Sequence, residues 1–173
     1  MFRVKKVKFR RFRDVSLYEC VGIIGVYVVW DQNSDLIPTY IGKGNLFDRL
    51  DSSHSKFKPP LDGYIAILGE VGDRKADQHA EMLEAMLLFA ADKTNRLSKN
   101  NRQGGRLAKI KKQLRRHNIV RALIAGYDPF SPPRFRRLLS GDKKYFRAFV
   151  GDNGLLEIEH GFQCLRGTRI SHL

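Results

Sequence analysis

Five side chains in the first half of this chain are of types that can do chemistry together: the phenols Tyr27 and Tyr40, the cations Lys43 and Arg49, and the acid Glu84. They offer exchangeable protons, positive charge for an anion and a hard oxygen ligand for a divalent cation. Tyr27 and Tyr40 lie within GVYVVWDQNSDLIPTYIGKG, Gly25 to Gly44, where two short apolar runs flank a polar interval rich in Asp and Asn. β-Branched and aromatic residues separated by turn formers predict two antiparallel strands, whose pairing brings the phenols into one small region. Gly42, Lys43 and Gly44 predict a tight turn that lets backbone approach a ligand. It is not a Walker-type phosphate loop, because the Lys is followed by Gly and not by Ser or Thr. Each residue also has an ordinary structural account. Strand tyrosines commonly pack with the hydroxyl at a rim, and a single surface Arg is usually solvated.

Other elements must hold these groups in place. Asn45 can cap a short helix through Leu46, Phe47 and Leu50, which would carry Arg49, with His54 just beyond its end. Gly63 to Val71 reads as a third strand. Lys75 to about Asp92 reads as a helix free of Pro and Gly, with Met82, Ala85, Met86 and Phe89 on an apolar face. Glu81 and Glu84 stand three apart on it, near one side. Helical carboxylates mostly face solvent, but Glu84 falls in the most apolar stretch, where a carboxylate without a partner is expensive.

Composition narrows the partner class. A chain of 173 residues, 42% hydrophobic, can bury one ordinary core. Its formal net charge of +14 attracts polyanions, of which nucleic acid is the commonest. Two cysteines, Cys20 and Cys164, are too few for a disulfide scaffold or a zinc cluster. Neither a signal-peptide core nor about 18 consecutive apolar residues occurs, so a soluble intracellular protein is expected, in the cytoplasm, or in the nucleoid or nucleus should the polyanion be DNA. Met1 to Arg13 interleaves cations with Val4, Val7, Phe9 and Phe12 and reads as a basic arm over residues 1–19: an edge strand, a tail along phosphates or a solvated terminus.

Taken together, Gly25-Val26-Tyr27, Tyr40-Ile41-Gly42 with Lys43, Arg49 on the following helix, Glu84 in LEAMLL and a downstream Asn resemble the GIY-YIG nuclease domain. The resemblance covers roughly Val21 to Gly105, and hairpin, helix, strand, helix is the family's order. Val26 stands where the family name has Ile. Asn100, four residues before Gly104-Gly105, is preferred for the Asn, with Asn95 and then Asn101 behind it. Glu84 fits the family's pattern better than Glu81, and His54 falls near where some members carry a His.

The resemblance implies an endonuclease with an α+β core, a small antiparallel three-stranded sheet flanked by helices, spanning residues 20–105. By that resemblance one Mg²⁺ or Mn²⁺ would be held by Glu84, clamping a phosphate oxygen and the leaving 3′ oxygen. Tyr27 would take the proton from the attacking water, with Tyr40 and Lys43 holding its hydroxyl and favouring the phenolate. An unperturbed Tyr titrates near ~10, so a nearby cation is required, and Lys43 would supply it. Arg49 would brace the scissile phosphate, and Asn100 would tie the site loop together.

Beyond Gly105 only composition serves. RLAKIKKQLRRH, Arg106 to His117, puts Leu107, Ile110 and Leu114 on one helical face and Lys109, Lys112, Arg115 and Arg116 elsewhere, an amphipathic basic helix that either lines a phosphate track or packs on the core. Ile119 to Gly126 is apolar enough for core, and Tyr127 to Pro133 reads as a loop. Tyr145 to Val150 and Leu155 to His160 predict a hairpin around Gly151-Asp152-Asn153-Gly154. His160 and Cys164 lack the second pair a zinc site needs. Residues 106–173 are thus expected to be a basic C-terminal extension that holds DNA, double-stranded for a restriction-like or structure-specific enzyme, with a homodimer as the arrangement that cuts both strands. RNA, a toxin's target genome, and an idle nucleic-acid binding module on the same fold are the rival destinations.

Overall fold

Burial with period two along residues 6–11 decides the architecture. Val7 and Phe9 are 2% and 0% exposed, whereas Lys6 and Lys8 are exposed, so this segment is a strand with one apolar and one basic face. The computed structural model describes residues 2–30, 38–51, 62–93, 112, 114, 119–135, 143–150 and 156–163. Among them the fold is α+β. The strands are β1 (Phe2–Arg11), β2 (Ile23–Trp30), β3 (Tyr40–Asn45), β4 (Asp62–Glu70), β5 (Ile119–Gly126), β6 (Lys143–Val150) and β7 (Leu156–Gln163). The α-helices described end to end are α1 (Leu46–Leu50) and α2 (Arg74–Lys93). All seven strands form one mixed sheet in the order β3-β2-β4-β1-β5-β6-β7. Only the β1–β5 pair is parallel.

Two expectations are corrected here. The three-stranded sheet is one part, β3-β2-β4, of a seven-stranded sheet. The basic arm is the sheet's central strand, hydrogen-bonded to β4 on one side and β5 on the other. Its charge suggested an arm, but the apolar residues at alternate positions gain more by burial than the lysines lose by standing on the other face. The C-terminal segment likewise continues the same sheet through β5, and the predicted hairpin appears as β6 and β7, paired from Val150↔Leu156 to Lys143↔Gln163.

The sheet has a layer on each face. On one, Val26, Val28, Ile41, Ala66, Val7 and Phe9 pack with Met82, Leu83, Met86 and Phe89 of α2 in the main core. Helix α2 runs 20 residues, and its first turn is closed by Asp73, whose Oδ1 accepts from the Lys75 N–H at 2.8 Å. On the other face, Tyr27, Val29 and Ile65 pack with Cys20 and Leu46, with Phe12, Val15 and Phe47 at the margin. The loop after β5 is pinned on the α2 side: Trp30 Nε1 donates to the Pro129 carbonyl at 3.1 Å, the Tyr64 hydroxyl to that of Ser131 at 2.6 Å, and Arg11 to that of Pro133.

A central strand and a free arm respond differently to removal. Deleting residues 1–11 is expected to abolish cooperative urea unfolding, and Phe9→Ala should cost about 3–5 kcal/mol in the same measurement. A dispensable arm would leave the transition unchanged.

Candidate active site

The strand register sets which side chains can meet. Tyr27 pairs with Gly42, Val28 with Ile41 and Val29 with Tyr40. Directly paired residues share a face, so Tyr27, Tyr40, Gly42 and Gly44 lie on one side and Ile41 and Lys43 on the other. The phenol rings stack with centroids 5.9 Å apart and planes at 26°. Gly42 makes this fit. A Cβ there would stand 2.5 Å from the Tyr27 oxygen and 2.7 Å from the Tyr40 ring, so the Tyr27 hydroxyl lies over the backbone of β3, the edge strand.

Asn45 ends β3 and caps α1, its Oδ1 accepting from the Phe47 N–H at 3.2 Å. This one-turn helix directs Arg49 back over β3. Gly44, at φ +134°, again provides the clearance, since a Cβ there would lie 3.3 Å from Arg49 Nε. The Gly42-Lys43-Gly44 segment is therefore strand and not the predicted turn. Its glycines are flat ground beneath an aromatic ring and a guanidinium.

Glu84 enters from the opposite layer. Helix α2 packs on β2, β3 and β4, and Glu84 is only 5% exposed, whereas Glu81 is exposed. The structure thus separates the two acids that the sequence left in competition. The Tyr27 hydroxyl registers all the other groups. Burial raises its pKa well above the usual phenol range, the neighbouring Tyr40 raises it further, the Arg49 guanidinium lowers it, and the Glu84 carboxylate and a hydrogen bond with Tyr40 raise it. Tyr27, Tyr40 and Arg49, drawn from β2, β3 and α1, therefore meet over the glycines of the edge strand β3, and the charge of Glu84 reaches the Tyr27 hydroxyl from α2.

Two expectations about Tyr27 change. The cation acting on its hydroxyl is Arg49, because Lys43 pairs with Val26 and points to the other face. And in this environment the phenol is held protonated, not biased toward phenolate. Asn100, with the alternatives Asn95 and Asn101, lies outside the described residues, as do His54, Lys109, Arg115 and Arg116. Lys112 is helical and exposed, and Leu114, two residues on, is 1% exposed within the main core. Sequence reasoning missed the structural work of Gly42 and Gly44. The available signal was a pair of glycines alternating inside a strand pattern.

No protein-family model matches this chain, and neither a curated protein nor a solved structure matches it.

The phenol pair should be visible in stability. Gly42→Ala forces both rings to move and should cost about 1–3 kcal/mol by urea denaturation. Burial also holds Tyr64 protonated beyond the usual phenol range. With folded pKa values above the unfolded value of ~10, the contribution of Tyr27 and Tyr64 is fully present below about pH 10 and is lost as pH rises from there through the folded values. Urea denaturation between about pH 8 and 11 should show an alkaline decline that Tyr27→Phe and Tyr64→Phe each flatten.

Proposed function

We propose that this protein is an endonuclease resembling the GIY-YIG family, hydrolysing DNA phosphodiester bonds with a divalent cation, Mg²⁺ or Mn²⁺. The observation that carries this reading is the seating of the Tyr27–Tyr40 stack and the Arg49 guanidinium side by side over Gly42 and Gly44 of β3, with the buried Glu84 carboxylate acting on the same Tyr27 hydroxyl from α2. Those are the groups that phosphodiester hydrolysis calls on: a proton carrier, charge for the phosphoryl oxygens and an anchor for a cation.

The donor set fits a particular kind of cation site. Among the described residues no group of three His, Cys, Asp or Glu could cage a metal, but the buried Glu84 carboxylate is the single hard ligand by which Mg²⁺ is commonly held while it keeps most of its waters. When bound, such an ion supplies charge to a phosphate oxygen and to the leaving 3′ oxygen. Arg49, exposed on α1 with no side chain beneath it at Gly44, presents its fork of donors to the scissile phosphate.

Tyr27 must give up its own proton before it can accept one from the attacking water. Arg49 favours that loss and the Glu84 carboxylate opposes it. Tyr40, stacked alongside, restricts the Tyr27 ring to its place over β3. Half-exposed Lys43, on the far face of the edge strand, remains available to a flanking phosphate.

Incubation with supercoiled plasmid should give nicking or linearisation with Mg²⁺ and none with chelator. Glu84→Ala and Arg49→Ala should abolish it, and Tyr27→Phe should slow it by roughly 10² to 10⁴. Tight binding without cleavage across DNA and RNA substrates would mean that the fold serves as a binding module.

A further inference from the structure

The basic side of β1 lies on the same face of the sheet as the phenol pair. Arg10 pairs with Ile65, and Ile65 pairs with Tyr27, so the three share a face across neighbouring strands. Alternation carries Lys8 and Lys6 to that side, both exposed. They stand about 7 Å apart along the strand and two strands, about 10 Å, from β2.

The chain after β1 folds back over this face, with Phe12, Val15 and Cys20 packing against the cluster of Tyr27, Leu46 and Ile65. The 3₁₀ turn Leu17–Cys20 within it is firmly tied. Ser16 and Glu19 form a reciprocal capping box. Arg10 Nη1 donates to Glu19 Oε2 at 3.1 Å, and Arg10 Nη2 donates to the Asp14 carbonyl at 2.8 Å. What this bracing holds out is an aromatic ring: Tyr18 is 86% exposed, between Leu17 and Val21, themselves 42% and 57% exposed.

A ring of this size normally buries its area. Fixed in solvent on a turn tied to Arg10, the residue that shares its strand face with Lys8 and Lys6, in a chain of net charge +14, it has the form of a stacking platform with an electrostatic track. We propose that this face seats a single nucleic-acid strand, with Lys6 and Lys8 on its phosphates and Tyr18 stacked on an unpaired base, leading toward Arg49 and Tyr27. A closed duplex offers no free base face to Tyr18, so the substrate class is DNA with an unpaired stretch beside the cut. This inference rests on the nuclease reading for its substrate but not for its test.

The test is fluorescence anisotropy of the whole chain in chelator, so that nothing is cut, with a labelled single strand, a blunt duplex and a gapped duplex between about 50 and 200 mM salt. The single strand and the gapped duplex should bind more tightly than the blunt duplex. Tyr18→Ala should weaken the first two by roughly tenfold, with Tyr18→Phe retaining affinity. Replacing Lys6 and Lys8 together by Ala should reduce the salt slope for the single strand by about 1.4. Unchanged single-strand affinity in Tyr18→Ala, or a blunt duplex bound as tightly as the gapped one, would overturn the proposal. So would a change in self-association by ultracentrifugation with oligonucleotide binding unaltered, which would make the Tyr18 patch a contact between copies. Predicted binding without cleavage by the wild type in Mg²⁺ would retain the strand seat and remove the nuclease. Mg²⁺-dependent cleavage with binding indifferent to Tyr18, Lys6 and Lys8 would do the reverse.

Discussion

The pairing of β2 with its two neighbours is the constraint from which the rest follows. In strands of period two, a slip of one residue would carry Tyr27 and Val29 to the α2 face and bring Val26 and Val28 under α1. The register is fixed from both sides, since Val26, Val28, Ile41 and Ala66 have a large apolar layer to fill beneath α2. Ile65 and Val29 have a smaller one beneath Leu46 and Cys20. With β2 so held, Tyr27 has to lie over Gly42, and Tyr40 has to stack beside it.

Placing the site at a sheet edge lets two layers contribute to it. Phenols and guanidinium come from one face, the acid comes from the helix on the other, and the glycines of β3 keep the strand between them thin. The resulting electrostatics are opposed. A buried hydroxyl beside a carboxylate keeps its proton, and a cation at the same hydroxyl works to release it. Such tension at a cluster of titratable groups is characteristic of functional sites, where local rules are set against one another. Elsewhere in the described fold a comparable polar burial is resolved conventionally, as where Lys144 meets Asp128 at 2.7 Å.

Much of this was legible in the chain. Alternation of β-branched and aromatic residues located β2 and β4, a long stretch without Pro or Gly located α2, Asn45 announced α1, and Gly-Asp-Asn-Gly announced the last hairpin. Those signals are local and depend only on backbone preference and turn chemistry. What sequence did not reveal is non-local. Pairing of β1 with β5 joins residues more than a hundred positions apart, and nothing within Phe2–Arg11 records that partner. The charge of that strand pointed to an arm because composition does not show which face each cation takes. The exchange of Lys43 for Arg49 beside Tyr27 has the same origin, since one step along a strand reverses the side chain's direction. Glu84 was separable from Glu81 by its apolar neighbours, a hint that burial sharpened.

The central claim is that Tyr27, Tyr40, Arg49 and Glu84 form one place able to hold a divalent cation. With all six tyrosines replaced by 3-fluorotyrosine, ¹⁹F NMR during addition of Mn²⁺ reads it directly, because broadening reports proximity to the ion. The account predicts that Tyr27 and Tyr40 broaden first, with Tyr64, Tyr127 and Tyr145 spared, and that Glu84→Gln abolishes the effect. Broadening centred on other tyrosines, or unchanged in Glu84→Gln, would contradict it.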